Sequence, residues 1–480
     1  MALALRLPGI KWGLPPVTRE VRASDLRSSY AFDEDDILSG AAQASVARLD
    51  FDPREYHWGM LHGEGILLAM DSAQALGVFG EPWRHAYFDL TAHFARVYAV
   101  GRFVAVVAAL FTVWVLFQFP GQWTGPFCAM LVAVSPAHML QSDQVRVDVT
   151  MTAMLALTVV AALRARRSWM VGFAAGLAVA AKYSIVTAAA AIALAAVATR
   201  KKPRGLLEAA VGGVIGFLVG APVWLIKPRV VYDQIARFTN AKVPAEYLIP
   251  TGKLFALHAV NLARFSMGLP AFLLALVGLV IMVRRRWPAD LVVLAGIVGY
   301  AIVLVPLRWA LVRYDLPLLV LLGLAAGVAL ERLAPRWRYG LTAVALVMPL
   351  AGTIAQIHYM RAPHPANVIL GRILEIVPPG TPISRLTREA PPLDLKIYPM
   401  GQDIFMDDLA VKPPQWVLMS DLPDQAYRAS NLDLLRTSYQ EVARAESPRI
   451  LAWATLGESS SPHDWKYTHF TCVLYRRKSP

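Results

Sequence analysis

Four consecutive acids, Asp33, Glu34, Asp35 and Asp36, stand ahead of a long apolar chain, and Asp148 opens a later apolar run in the phrase QVRVDVTM. Opposite in sign are Lys182, inside the otherwise apolar stretch Trp169–Thr199, and Arg102, about one turn into another apolar run. Arg308 and Arg313 flank the turn WALVRYDLPLL. A carboxylate can take a proton from a hydroxyl nucleophile. Arg or Lys can stabilise a phosphate leaving group. His57, between Tyr56 and Trp58, suits either step or sugar binding, and the two flanking rings suit a sugar, a lipid or the membrane interface. Each residue also has a plainer reading. The four acids suit a solvated cap on a helix N-terminus, and so does Asp148. Lys182 and Arg102 are long enough to snorkel, and His57 suits a hydrogen-bonded loop. The plain and chemical readings separate only when the elements that carry these residues are placed.

The chain of 480 residues is 56% hydrophobic and 17% charged, where a soluble domain carries about 25% charged residues. A mean hydropathy of +0.45 and repeated long apolar runs describe a polytopic membrane protein. The net charge of +13 then belongs to cytoplasmic loops and lipid headgroups, not to nucleic acid. Cys128 lies in an apolar run far from Cys472, so no disulfide framework is expected. Met1–Pro16 lacks the ordered parts of a cleavable signal peptide.

Spans are expected at Val97–Phe119, Trp123–Leu140 (interrupted at Ser135-Pro136), Asp148–Leu163 and Leu206–Ile226. Four more follow at Phe265–Val283, Leu291–Leu307, Tyr314–Leu330 and Leu341–Ile357. His62–Gly80 is broken by Glu64, Asp71 and Gln74 and suits an interfacial helix. Basic clusters at 164–167, 200–204, 284–286 and 332–338 should all be cytoplasmic. An even number of crossings must therefore separate each pair. Trp169–Thr199 is too short for two full spans of roughly twenty residues each. Two short helices meeting near Lys182 satisfy the parity and put Lys182 at a recessed outer apex.

Working outward from these anchors gives about ten spans. The acidic stretch, the 141–147 turn, the polar 227–264 loop, the 307–313 turn and everything after 358 then lie outside. Asp33–Asp36, Asp148, Lys182, Arg308 and Arg313 gather on one face by charge parity alone. Met1–Trp12 reads as the tail of a span, and an additional first helix ahead of this start, an eleventh span, is expected. From about Pro363 the chain turns polar and Pro-rich, with β-like runs at Trp416–Met419 and Cys472–Tyr475 and helical pieces at Asn367–Ile376 and Asp433–Ala445. The fold class is thus mainly α: a polytopic helical bundle with a small extracytoplasmic α/β domain. The divisions are 1–96, an outer first loop with the acidic motif and interfacial helices; 97–357, the membrane domain; and 358–480, the α/β domain.

With the residues so placed, the pattern resembles the GT-C glycosyltransferases that use polyprenyl-phosphate sugars, the group containing protein O-mannosyltransferases and the lipid A aminoarabinose transferase. FDEDDILSGAAQ, followed by LDFDPREYHWGML, resembles the family's first outer loop. SDQVRVDVTMTAMLAL resembles its second acidic motif, and GFAAGLAVAAKYSIV its glycine-rich helix ending in Lys. VRYDLPLLVLLGLAA resembles the late Arg-Tyr-x-x-Pro motif, and HYMRAPHPANVILGRILEIVPPGTPI the entry into the outer domain. The resemblance implies Asp33 as catalytic base with Glu34 beside it, and Asp148 as a second acid placing the acceptor or a water. It implies Lys182, Arg313 and Tyr314 at the lipid-phosphate end of the donor site and His57 in the donor pocket. Three features depart from the family: no span precedes the acidic loop, Asp35 and Asp36 extend the acidic pair, and Trp58 replaces a proline that often follows the histidine.

The expected function is an integral membrane glycosyltransferase of the inner, multi-pass kind, with its site on the extracytoplasmic face. It would move a sugar from a polyprenyl-phosphate donor to an acceptor hydroxyl on a protein, lipid or glycan, with inversion. Catalytic residues would be Asp33, Glu34 and Asp148. Substrate would be bound by Tyr56, His57, Arg102, Lys182, Arg308, Arg313 and Tyr314. The acids are compatible with a divalent metal on oxygen ligands, which the resemblance does not require. The rivals are a transporter or lipid flippase, whose charges would line a through-path, and a lipid-diphosphate-dependent glycan ligase, which would rely more on Arg than on a carboxylate.

Overall fold

The computed structural model describes residues 1–14, 34–44, 52–54, 56, 58–88, 93–165, 167–200, 204–240, 250–304, 310–386, 391, 393, 397–398, 409, 413–420, 429–446 and 471–478. A short helix α1 (Ala2–Arg6) is followed by α2 (Glu34–Gln43), α3 (Met60–Ala75) and α4 (Trp83–Phe88). The helical domain comprises α5 (Phe94–Phe117), α6 (Thr124–Ala133), α7 (Pro136–Ser142), α8 (Val147–Arg164), α9 (Ser168–Ala181), α10 (Ile185–Thr199) and α11 (Gly205–Gly220). It continues with α12 (Val223–Ile226), α13 (Pro228–Asn240), α14 (Thr251–Asn261), α15 (Leu269–Arg285), α16 (Pro288–Leu304), α17 (Leu316–Glu331) and α18 (Pro335–Arg361). The stretches Phe94–Phe117, Val147–Arg164, Val312–Glu331 and Pro335–Ile376 are long and apolar enough to cross a membrane; α6, α9, α10, α11 and α16 are shorter and apolar.

The breaks fall where backbone chemistry requires them. Ser135 caps α7 by accepting from the His138 N–H, and Pro136 fills the first helical position, where it forfeits no helical bond. Lys182 is extended (φ −153°, ψ 116°) and ends α9. Ser184 then caps α10 by accepting from the Val186 N–H. The expected pair of short helices meeting at Lys182 is present. Small residues bring α9 and α11 into backbone contact: a methyl group on Gly172 would lie 1.8 Å from the Ala209 carbonyl oxygen, and one on Gly216 2.1 Å from that of Phe173. Such contact between helices is what small-residue stripes permit in membranes. The facing positions rise together, so α9 and α11 run parallel, and α10 is the return that precedes α11 in the chain.

The two ends of the bundle differ. At one, Arg285 pairs with Asp290, Arg332 lies over Trp287 at 5.8 Å and Arg338 over Trp123 at 5.4 Å. At the other lie the starts of α5 and α8, the Lys182 break and the turn Val312–Asp315 that precedes α17. Charge parity placed the basic clusters and the acids at opposite ends, and the described members of each set separate so.

Two local expectations change. The 227–264 segment is not simply a loop, because it carries α13 and α14, whose exposed Val230, Tyr232 and Phe255 alternate with polar residues. The helix expected over Asp433–Ala445 is α20 (Ala429–Ser438) followed directly by strand β3 (Tyr439–Ala445). The helix stops because Tyr439–Ala445 finds a strand partner. β1 (Ser384–Arg385), β2 (Trp416–Ser420) and β4 (Cys472–Arg477) complete a sheet of order β1-β2-β4-β3, parallel at β1–β2 and antiparallel elsewhere. Helix α19 (Pro365–Ile376) packs Ile369 and Ile373 on Trp416, Leu418, Cys472 and Leu474. Met1–Leu14, which includes the stretch Met1–Trp12 read as the tail of a span, packs into the bundle. Arg6 is fully buried and donates to the Val132 and Ala133 carbonyls at the end of α6 (3.2 and 3.1 Å), where a cation satisfies helix-end acceptors. The Trp12 ring packs at a tilt against His364, with centroids 4.4 Å apart. Cys128 and Cys472 are both buried free thiols.

Candidate active site

Asp148 sits in the first turn of α8, where a carboxylate is favoured by the helix dipole. Its side chain is 2% exposed and pairs with the Lys182 ammonium, which is 17% exposed. The Lys182 Nζ also lies 4.5 Å from the centre of the Tyr314 ring. A partly exposed cation gains about 0.5–2 kcal/mol from such a face. Tyr314 belongs to the turn Val312–Asp315, and two contacts fix that turn. Tyr300 donates its hydroxyl to the Tyr314 carbonyl at 2.8 Å, and the buried Asp315 carboxylate meets His258 Nδ1 at 2.7 Å. Arg313 lies 5.6 Å from the same Tyr314 ring. Asp148, Lys182, Arg313 and Tyr314, expected together from the sequence, form one group.

Glu34 and Arg102 form a second group. The Arg102 guanidinium grips Glu34 through both ends, Nε to Oε1 at 2.8 Å and Nη2 to Oε2 at 2.7 Å. Its Nη1 donates to the Ile10 and Trp12 carbonyls at 3.1 and 2.7 Å. The Val145 N–H donates to Glu34 Oε1 at 2.7 Å, three residues before Asp148. Side-chain exposure is 0% for Glu34 and 1% for Arg102. Arg102 therefore does not snorkel; it is consumed by Glu34 and two backbone carbonyls. The clamp ties the start of α2 to the loop that feeds Asp148.

Tyr56 falls in a third group. Its hydroxyl donates to Asp52, its N–H donates to Gln234 on α13 at 2.8 Å, and Lys227 pairs with Asp52. Tyr56 is buried beside Met60 and Ala180, so its ring serves as packing. Burial raises the Asp52 carboxyl, but the hydrogen bonds from Lys227 and Tyr56 outweigh it and leave the group below its ordinary value. Asp33, His57 and Arg308 lie outside the described residues.

Sequence reasoning read α3 as an interfacial helix and did not pick out its buried polar residues. His62 is buried there, with Nδ1 2.8 Å from the Thr150 hydroxyl on α8. Burial pushes its imidazole down to about 4 against the opposing field of Asp148, so it is neutral at pH 7. The backbone ahead of α3 presses on the Lys182 break: a methyl group on Gly59 would lie 2.0 Å from the Ala181 oxygen and 2.4 Å from the Lys182 nitrogen. The only local signals were the glycines of HWGMLHGEG. Among the described residues no three His, Cys, Asp or Glu side chains come together as a metal site.

No protein-family model matches the sequence, and no curated protein matches it. Among solved structures, the chain is similar to ArnT from Cupriavidus metallidurans in the apo state, at 15% identity and a TM-score of 0.53 over 98% of this chain and 96% of that one. It is likewise similar to ArnT bound to undecaprenyl phosphate, at 15% identity, a TM-score of 0.51 and the same coverage. The chain therefore shares the fold of these structures over nearly its whole length.

Proposed function

We propose that the protein is an inverting membrane glycosyltransferase that takes its sugar from a polyprenyl phosphate and works on the extracytoplasmic side. The observation that carries this reading is Lys182, paired with a buried acid and seated on Tyr314 at the end of the bundle, in a fold shared with a protein that binds undecaprenyl phosphate. Ionisable groups at such a depth are functional candidates by default.

The chemistry follows from charge. The acceptor hydroxyl gives its proton to Asp33 as its oxygen forms a bond to the anomeric carbon. The bond from that carbon to the phosphate oxygen breaks on the opposite face, and the electron pair leaves with the polyprenyl phosphate. The phosphate gains one negative charge in this step, and Lys182, with Arg313 nearby, is placed to meet it. Asp148 holds Lys182 in position. Glu34 acts as a positioning residue: its carboxylate is engaged by Arg102 and the Val145 N–H, and it ties the start of α2 to the loop before Asp148.

The test compares neighbours. Asp33→Asn in the purified enzyme should lower turnover of a lipid-phosphate sugar about 10³-fold with unchanged thermal stability, the scale of a lost general base. Glu34→Gln should lower stability together with turnover. Full turnover in both variants would rule out a carboxylate base in this loop.

A further inference from the structure

A cleft between α2 and α3 is used by neither charged pair. It encloses about 410 Å³ of space, part of it open to solvent. Ile37, Ala41 and Leu67 supply apolar walls, the half-buried Trp58 indole lines another side, and two carboxyl groups reach it, Asp36 from α2 and Glu64 from α3. Asp36 is exposed. Glu64 Oε1 is buried and meets no hydrogen-bond partner among the described residues. Burial pushes this carboxyl up to about 7. A buried polar atom without a partner is expensive in a folded protein, and a ligand or water that satisfies it is the usual explanation.

The position of the cleft is as informative as its lining. Gly59, in its wall, touches the Ala181–Lys182 backbone, so the cleft adjoins the phosphate end of the site. Its other wall is the first turns of α2, which begins immediately after Asp33. In an inverting displacement the acceptor approaches opposite the leaving phosphate and next to the base. The cleft spans from Gly59, which touches the Lys182 backbone, to the first turns of α2. A carboxyl near neutrality both accepts from and donates to hydroxyl groups, and an indole face covers the C–H face of a ring.

We propose that this cleft is the acceptor subsite and takes a polyhydroxylated ring, with Glu64 hydrogen-bonding its hydroxyls and Trp58 stacking on its apolar face. The assignment rests on the glycosyl-transfer reading above.

The test is saturation-transfer difference NMR on the detergent-purified protein, with and without undecaprenyl phosphate. The probes are methyl glycosides of glucose, galactose, mannose and arabinose. At least one should show transfer in the wild type. Glu64→Ala and Trp58→Ala should weaken it about tenfold, the scale of one lost good contact. Glu64→Gln, which still donates and accepts, and Trp58→Phe, which still stacks and guards against misfolding, should keep it. Undecaprenyl phosphate binding should be unchanged in all four variants. No transfer from any glycoside to the wild type, or equal transfer in the Ala variants, overturns the subsite. Loss of undecaprenyl phosphate binding by the wild type would instead overturn the donor reading and leave the glycoside result to be judged alone.

Discussion

Two carboxylate–cation pairs stand at the same end of the bundle, three residues apart along the chain at Val145 and Asp148, and they are built for opposite purposes. Glu34–Arg102 is closed. Its fork uses both carboxylate oxygens, its spare donor goes to two carbonyls, and both side chains are dry. Asp148–Lys182 is open. The acid is dry, but the ammonium keeps water contact and lies on a ring face. Arg suits the first, because a planar fork fixes geometry; Lys suits the second, because a point charge on a flexible stem can be shared with an arriving anion. Burial thus separates an ion pair that positions a loop from one that can change partners.

The closed pair should be broken with the largest effect. Arg102→Ala removes the cation that neutralises Glu34 in a dry site, which costs about 3–5 kcal/mol. The expected result is a large fall in the thermal midpoint in detergent. Replacing both partners, Glu34→Leu with Arg102→Met, should restore most of the midpoint while turnover stays low, since the start of α2 is then no longer tied to the loop before Asp148. An Arg102→Ala midpoint equal to wild type would show that the clamp is not structural.

The open pair should respond the other way. Lys182→Gln with Asp148→Asn keeps a hydrogen bond between neutral groups and leaves no buried charge behind. Stability should stay close to wild type, while turnover falls about 10²-fold or more, the scale of one lost charge stabiliser. Undecaprenyl phosphate should raise the thermal midpoint of the wild type and not of this variant. A rise of equal size in both would place the phosphate elsewhere.

The open pair was largely legible in the sequence, and the closed one was not. Lys182 stands out because a lysine between alanine-rich runs must reach an end, and the basic clusters say which end. Tyr314 and Asp148 sit at the starts of apolar runs, where the same count places them. The Glu34–Arg102 clamp joins residues 68 apart in sequence. Nothing local distinguishes a clamped acid from a solvated one, so Glu34 and Asp33 looked equivalent. His62 and Glu64 were hidden for a related reason: a helix that looked merely interfacial packs its polar residues against α8 and into the cleft. The strand at β3 was masked by helix-favouring Glu, Ala and Arg, and only its pairing with β4 decides it.

The Asp52–Lys227 pair tests an intermediate case, partly closed and partly wet. Its side chains are 9% and 46% exposed, and it ties the first loop to the segment before α13. Asp52 is held below its ordinary value in the folded state. The folded protein therefore binds fewer protons there than the unfolded chain. Its stabilisation is present above the unfolded pKa of about 4 and disappears as pH falls through the lower folded value. Solvent around Lys227 limits the effect to about 1 kcal/mol, and salt should weaken it further. Asp52→Asn should therefore lower the thermal midpoint slightly at neutral pH and flatten the midpoint's fall between neutrality and about pH 3. An identical pH profile in the variant would mean that Tyr56 and Gln234 hold the loop without the charge.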